Sequence, residues 1–241
     1  MEPRKTSTFF LYATILTILF SLGLSLFLRS SFFSIAMVKI EGIEKIPLLE
    51  IERLTSDVNG ENIISYDQER LRQNVLLHPL VESVEFDRKL PKTLVVRVKE
   101  RTPVALVAVP NGVVEVDEKG TFLRRMEGWP NKSYPVINGV KIPETSGPGQ
   151  VLEEPGLDTS LFLIGQAPKE LTPLIGEIYV NSIQQITLYL TSGVEVRLGK
   201  TDDWKVKLEA LYKLINDEGY KSFENEVRYI DFTAAKPVVG R

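Results

Sequence analysis

Residues 81–104 read VESVEFDRKLPKTLVVRVKERTPV, and the pattern inside them decides the fold. Leu94, Val96 and Val98 alternate with Thr93, Val95, Arg97 and Lys99, the period of two expected of a strand with one buried and one wet face. Val84 and Phe86 play the same part in the preceding arm. Between the arms, the Pro91 ring crowds Leu90 out of the helical region, and Pro91 has no amide hydrogen to donate, so the chain turns there. The stretch is a β-hairpin at the centre of a small domain with an antiparallel sheet.

Upstream of the hairpin, Val38 and Ile40 alternate with Met37, Lys39 and Glu41, a first strand stopped by Gly42. Pro47 suits a first helical position, and Leu48, Ile51 and Leu54 form an apolar stripe running to about Asp57. After a Gly60-Glu61-Asn62 turn, Ser65 with Gln68 makes a capping box for a second helix with Leu71 and Val75 on one face, ending before Pro79. His78, the only histidine, has no second ligand or nucleophile beside it in the sequence and reads as a helix-end residue. Residues 37–103 therefore follow the order β-α-α-β-β.

At the N-terminus, Phe9 to Leu28 is an uncharged run, FFLYATILTILFSLGLSLFL. At about 1.5 Å per residue, a helix of this length spans the roughly 30 Å hydrocarbon core of a bilayer. A cleaved signal peptide is the competing reading, with Ser34-Ile35-Ala36 as the cleavage site, but the apolar run exceeds the usual signal core of about 7 to 15 residues. Arg4 and Lys5 favour a cytoplasmic N-terminus, although Arg29 weakens that bias. The expected layout is a tail over 1–8, a transmembrane helix over 9–28, a connector over 29–36, a first domain over 37–103 and a β domain over 104–241.

The β domain shows itself in paired strand signals. Val104, Leu106 and Ala108 alternate up to a Pro110-Asn111-Gly112 turn, and 113–117 returns. Another turn at Glu118-Lys119-Gly120 leads to Thr121-Phe122-Leu123, and 126–150 reads as loop. Leu157, Leu161 and Ile164 fall at helical spacing, followed by a strand over 177–180. Ile186, Leu188 and Leu190 pair across Ser192-Gly193 with Val194, Val196 and Leu198. Thr201, with Asp202 and Asp203, opens a last helix whose stripe is Leu208, Leu211, Tyr212 and Ile215 and whose end is Gly219. The β-prone segment from Val227 to about Val239 reads as a single final strand, and Pro237 restricts it to an edge.

These pieces together resemble the FtsQ/DivIB family of bacterial cell-division proteins, with its POTRA domain. The resemblance is carried by Val38-Lys39-Ile40-Glu41-Gly42, Gly60-Glu61-Asn62-Ile63 with Asp67, His78-Pro79-Leu80-Val81 with Val84, Arg88 with Pro91 and Leu94, and Glu100-Arg101-Thr102-Pro103-Val104. It continues through Tyr134-Pro135-Val136-Ile137-Asn138-Gly139, Val196-Arg197-Leu198-Gly199, Lys207-Leu208 and Tyr229-Ile230-Asp231-Phe232. It implies a two-domain α+β protein, POTRA then β-rich, on one membrane helix, acting as a non-enzymatic scaffold during septum formation. It also implies FtsB-like and FtsL-like partners, and a position in the cell inner membrane with the domains extracytoplasmic. The partner residues it implies are Tyr229, Asp231, Phe232, Thr233, Ala234 and Val238. Where the family can carry a large aromatic three residues after the aspartate, this chain has Ala234. On the residues alone, a simple closing strand guarded by Lys236 and Pro237 is an equal reading of that segment.

Composition removes other classes. The chain has 241 residues, 43% of them apolar and 25% charged, and its net charge of −3 argues against a surface built to neutralise nucleic-acid phosphates. With no cysteine there is no disulfide, zinc finger or thiol nucleophile. H-E-x-x-H, G-x-S-x-G, P-loop and G-x-G-x-x-G motifs are all absent, and Gly147-Pro148-Gly149 lacks the Lys-Ser/Thr of a phosphate loop, so no cofactor or metal is expected. Glu100-Arg101 reads as an exposed pair of little energetic weight. The alternative to a scaffold is a membrane-anchored β-module that binds envelope lipid or glycan, which needs an apolar groove through its sheet.

Overall fold

The computed structural model describes residues 5–129, 134–181, 183–200, 203–234 and 236–241. Two compact units divide between Glu100 and Arg101.

The first unit opens with α1 (Lys5–Leu28), which contains the uncharged run and is apolar all round. Then come β1 (Met37–Glu41), α2 (Leu48–Thr55), α3 (Gln68–Leu76), β2 (Val81–Lys89) and β3 (Thr93–Glu100). β3 lies between β1, to which it is parallel, and β2, to which it is antiparallel, with Val96 opposite both Ile40 and Phe86. Leu94, Val96 and Val98 face the helices and pack with Ile51, Leu71, Val75 and Val84. The Leu90–Pro91 bond at the hairpin corner is cis.

Several local expectations change. Val95, expected on the wet face, is fully buried; it lies on the middle strand of the sheet, flanked in register by Lys39 of β1 and Asp87 of β2. Pro47 is the residue before α2 rather than its first, and Leu48 is exposed, so the buried side of α2 is Ile51 and Thr55. The α3 cap is Asp67, whose carboxylate accepts the Arg70 N–H at 3.0 Å, in place of Ser65. The stretch read as a connector is built into the domain: Phe33 and Ile35 are core residues, and Ile35 exchanges main-chain bonds with Glu61 and Gly60. Nor is Glu100 an idle surface charge. Its carboxylate accepts the N–H groups of Glu44, Lys45 and Ile46 at 2.8–3.1 Å, and these backbone bonds hold its pKa below the usual carboxylate value although burial opposes them. Its sequence neighbour Arg101 pairs instead with Asp117 at 2.7 Å.

The second unit contains β4 (Ala105–Val109), β5 (Gly112–Val116), β6 (Phe122–Glu127), β7 (Val136–Asn138), α4 (Pro155–Gln166), β8 (Ile175–Val180), β9 (Ile186–Leu190), β10 (Glu195–Gly199), α5 (Trp204–Ile215), the short α6 (Glu218–Lys221), β11 (Tyr229–Asp231) and β12 (Val238–Gly240). Among the described residues the strands form one nine-stranded sheet in the order β12-β11-β10-β9-β8-β7-β4-β5-β6. Asn111 adopts φ 67°, the left-handed turn the β4–β5 corner requires. α4 and α5 cover one face, where Leu157, Leu163, Leu208 and Leu211 pack on Val107, Ile178, Leu188, Val196 and Ile230. β6 extends to Glu127, into the stretch expected to be loop. Gly219 lies inside α6 rather than closing α5, whose C-cap is Asn216. The expected Thr201 and Asp202 cap lies outside the described residues.

Candidate partner-binding edge

The sheet face opposite α4 and α5 carries two cross-strand rows at the β12 end. Glu177, Tyr189, Glu195, Tyr229 and Gly240 are in register, and so are Tyr179, Thr187, Arg197, Asp231 and Val238. The Arg197 guanidinium lies 4.6 Å from the centre of the Tyr229 ring, donates to Glu195 at 2.7 Å and reaches 4.0 Å from Asp231. Gly240 serves this arrangement, because a Cβ there would overlap the Tyr229 ring that crosses it.

Asp231 closes a tight turn. Its Oδ1 accepts the Thr233 hydroxyl at 2.6 Å and the Thr233 N–H at 2.7 Å. These bonds, the hydroxyl first, hold the Asp231 carboxyl below its ordinary pKa, with help from Arg197 and Lys207 and against its partial burial. Lys207 reaches up from α5 to donate to the Leu198 carbonyl at 2.6 Å, and its desolvation lowers its own pKa.

The expected single strand is in fact two. The chain reverses between Asp231 and Val238, starting at the Asp231–Thr233 bonds, so β11 lies inside the sheet, parallel to β10 and antiparallel to β12. Tyr229 and Asp231 therefore do not offer a free backbone edge, and the Thr233 amide is bonded to Asp231. Phe232 points into the core, packed with the α5 leucines, so its side chain is not a contact surface. Thr233, Ala234 and Val238 are exposed. Among the described residues β12 is the outermost strand on this side, with no strand beyond it. Ile230 is engaged with β10, as shown by the flanking bonds Glu195 N–H to Arg228 C=O (3.0 Å) and Phe232 N–H to Arg197 C=O (2.9 Å). Alternate residues direct their main-chain groups to opposite sides, so Tyr229 and Asp231 turn to β12, where they meet Gly240 and Val238. Val239, between these two, directs its N–H and C=O outward.

The isolated histidine is a structural link. His78 Nε2 stands 2.8 Å from a Glu50 carboxylate oxygen and its Nδ1 accepts the Leu80 N–H at 3.2 Å, tying α2 to the end of α3. Among the described residues no group of three His, Cys, Asp or Glu side chains converges to hold a metal ion.

The fold defines a class: an apolar N-terminal helix long enough to cross a membrane, followed by a β-α-α-β-β domain and a β-rich domain. Residues 33–101 match the model of the POTRA domain, FtsQ-type, and residues 105–232 match that of the cell division protein FtsQ/DivIB, C-terminal. The chain belongs to the FtsQ/DivIB family, a non-catalytic family of division proteins. It is 29% identical to cell division protein FtsQ of Syntrophotalea carbinolica over 87% of this chain and 74% of that protein. It is 27% identical to FtsQ of Myxococcus fulvus over 85% of this chain and 72% of that one. The solved major extracytoplasmic domain of the trans isomer of DivIB from Geobacillus stearothermophilus aligns with 46% of this chain and 87% of its own, at 17% identity and a TM-score of 0.34. Family and apolar helix together make this a membrane-anchored division protein.

Proposed function

We propose that the protein is a scaffold of the division machinery at the septum, and that it takes its main partner on β12. In this reading residues 1–8 lie in the cytoplasm, 9–28 cross the cytoplasmic membrane, 29–36 form a connector whose second half packs into the POTRA domain of 37–103, and a β domain over 104–241 completes the extracytoplasmic part. Arg4 and Lys5 set the orientation. The observation that carries the proposal is the open side of β12, where Val239 presents a donor and an acceptor outward and Val238 is 48% exposed. An extended segment of an FtsB-like protein, accompanied by an FtsL-like one, adds there as a further strand. Tyr229, Asp231, Thr233, Ala234 and Val238 flank that strand, and Phe232 supports it from beneath.

The test is capture of an FtsB-like partner by the purified full chain and by a chain truncated after Phe232. Truncation removes β12 and should abolish capture. Equal capture by a truncated protein that retains its circular dichroism and melting transition places the site elsewhere.

A further inference from the structure

We propose that the α1-side end of the first domain is a second membrane-contact surface, in which Phe32 and the Leu90 hairpin tip enter the bilayer interface while Arg29, Lys89 and Lys92 engage anionic phospholipid headgroups. The proposal rests on α1 being the membrane span.

Little slack separates that span from the domain. Asn62 Nδ2 donates to the carbonyl of Leu28, the last residue of α1, at 2.7 Å, and Ile63 N–H donates to the Phe33 carbonyl at 2.8 Å. Phe33 is already a core residue, so only residues 29–32 lie between the helix and the domain. Phe32 does not join that core. It is 51% exposed, and its ring stacks on Phe27 at 5.7 Å, in the last turn of α1. The ring therefore lies level with the end of the apolar run, at the depth where hydrocarbon gives way to headgroups.

The hairpin tip projects from the same end. Ala36 and Met37, where the chain enters β1 from α1, both donate their N–H groups to the Lys92 carbonyl, at 2.9 and 3.2 Å. From that point β1 and β3 run parallel, away from α1, so the turn joining β2 to β3 points back toward it. At its apex Leu90 is 60% exposed, flanked by exposed Lys89 and Lys92. An apolar tip between lysines suits an interface, with the side chain down and the ammonium groups level with phosphate. Lys89, Lys92 and Arg29 make no ion pair among the described residues, whereas the carboxylates at this end are occupied. Glu61 pairs with Arg70 at 2.6 Å, and Asp67 caps α3. Asp67 keeps its charge while capping, but Arg29, Lys89 and Lys92 outnumber it, so the end is net positive, matching an anionic lipid surface.

The chain has no cysteine, so a single introduced one reports a single position. Full-length protein carrying a fluorophore at Leu90→Cys, Phe20→Cys or Leu77→Cys is placed in phosphatidylcholine vesicles, with and without phosphatidylglycerol, that contain lipid-borne quencher. Leu77, 74% exposed, sits at the far end of α3, about 13 Å along the helix from the end nearest the tip. Quenching at position 90 should be at least about twofold, weak at 77 and strong at 20. Position 90 behaving like 77 while 20 is quenched overturns the proposal and leaves the span intact. No quenching at 20 overturns the span itself, and the proposal with it. Adding Lys89→Glu with Lys92→Glu should lower quenching at 90 in phosphatidylglycerol vesicles to the level in phosphatidylcholine alone, and an unchanged signal removes the headgroup contact.

Discussion

The two outer edges of the nine-stranded sheet are finished differently. At β6, residues 149–152 strap the start of the strand: Phe122 N–H donates to the Gln150 carbonyl, Gly149 N–H to Phe122, and Leu152 N–H to Gly120, all within 2.8–2.9 Å. Past the strap, Arg124 crosses to the Glu115 carboxylate, whose side chain is 1% exposed, and Arg125 and Glu127 point charges outward. At β12 there are three strand residues, a proline before them, and no strap among the described residues. Straps and crossing charges close β6 to addition, whereas β12 is guarded only by its shortness and by Lys236 and Pro237, and the proposed partner site rests on that difference.

The sharpest way to break this contrast is Val239→Pro. It deletes the outward donor of β12 while leaving the inward bonds of Val238 and Gly240, and should weaken binding of the FtsB-like partner at least about tenfold, as read by biolayer interferometry. Undiminished affinity would mean that recognition bypasses the edge. Gly240→Ala is gentler: it pushes the Tyr229 ring away from Gly240 and off Arg197, and should cost about two- to fivefold in affinity.

Asp231→Ala tests the turn that creates the edge. The folded pKa of Asp231 is depressed, so its contribution is present above its unfolded value near 4 and disappears as pH falls through the folded value. The variant should melt about 2–4 °C below the parent at pH 7, with the gap narrowing in calorimetry as pH is lowered below the ordinary carboxylate range. A gap that does not narrow on acidification would assign the loss to packing rather than to the carboxylate. Smallest of all, Arg125→Glu on β6 should leave partner affinity unchanged, and a clear loss would make β6 part of the site.

What was legible in the sequence was short-range. The buried face of β3, the Asn111 turn and the uncharged run from Phe9 each express one physical requirement within a few residues, and the structure has all three, although Val95 is buried as well. The final edge was harder, because 227–232 and 238–239 are equally β-prone and the break between them depends on one carboxylate closing on Thr233. Glu100 looked like a surface charge because the amides it binds lie more than fifty positions upstream. The burial of Glu115 and Asp117 has no sequence signal, because it depends on coverage of both faces of β5, where Leu106, Val113 and Leu123 are also buried outside the main core. Sequence proximity carries no information about such coverage.

The bond from Asn62 to the Leu28 carbonyl has a mechanical consequence. On the proposed topology, this bond couples the last residue of α1 to the first domain at the membrane surface. A sideways pull on that domain is then expected to change the tilt of the helix, and a neighbouring helix that leans on α1 to reorient the domain in return.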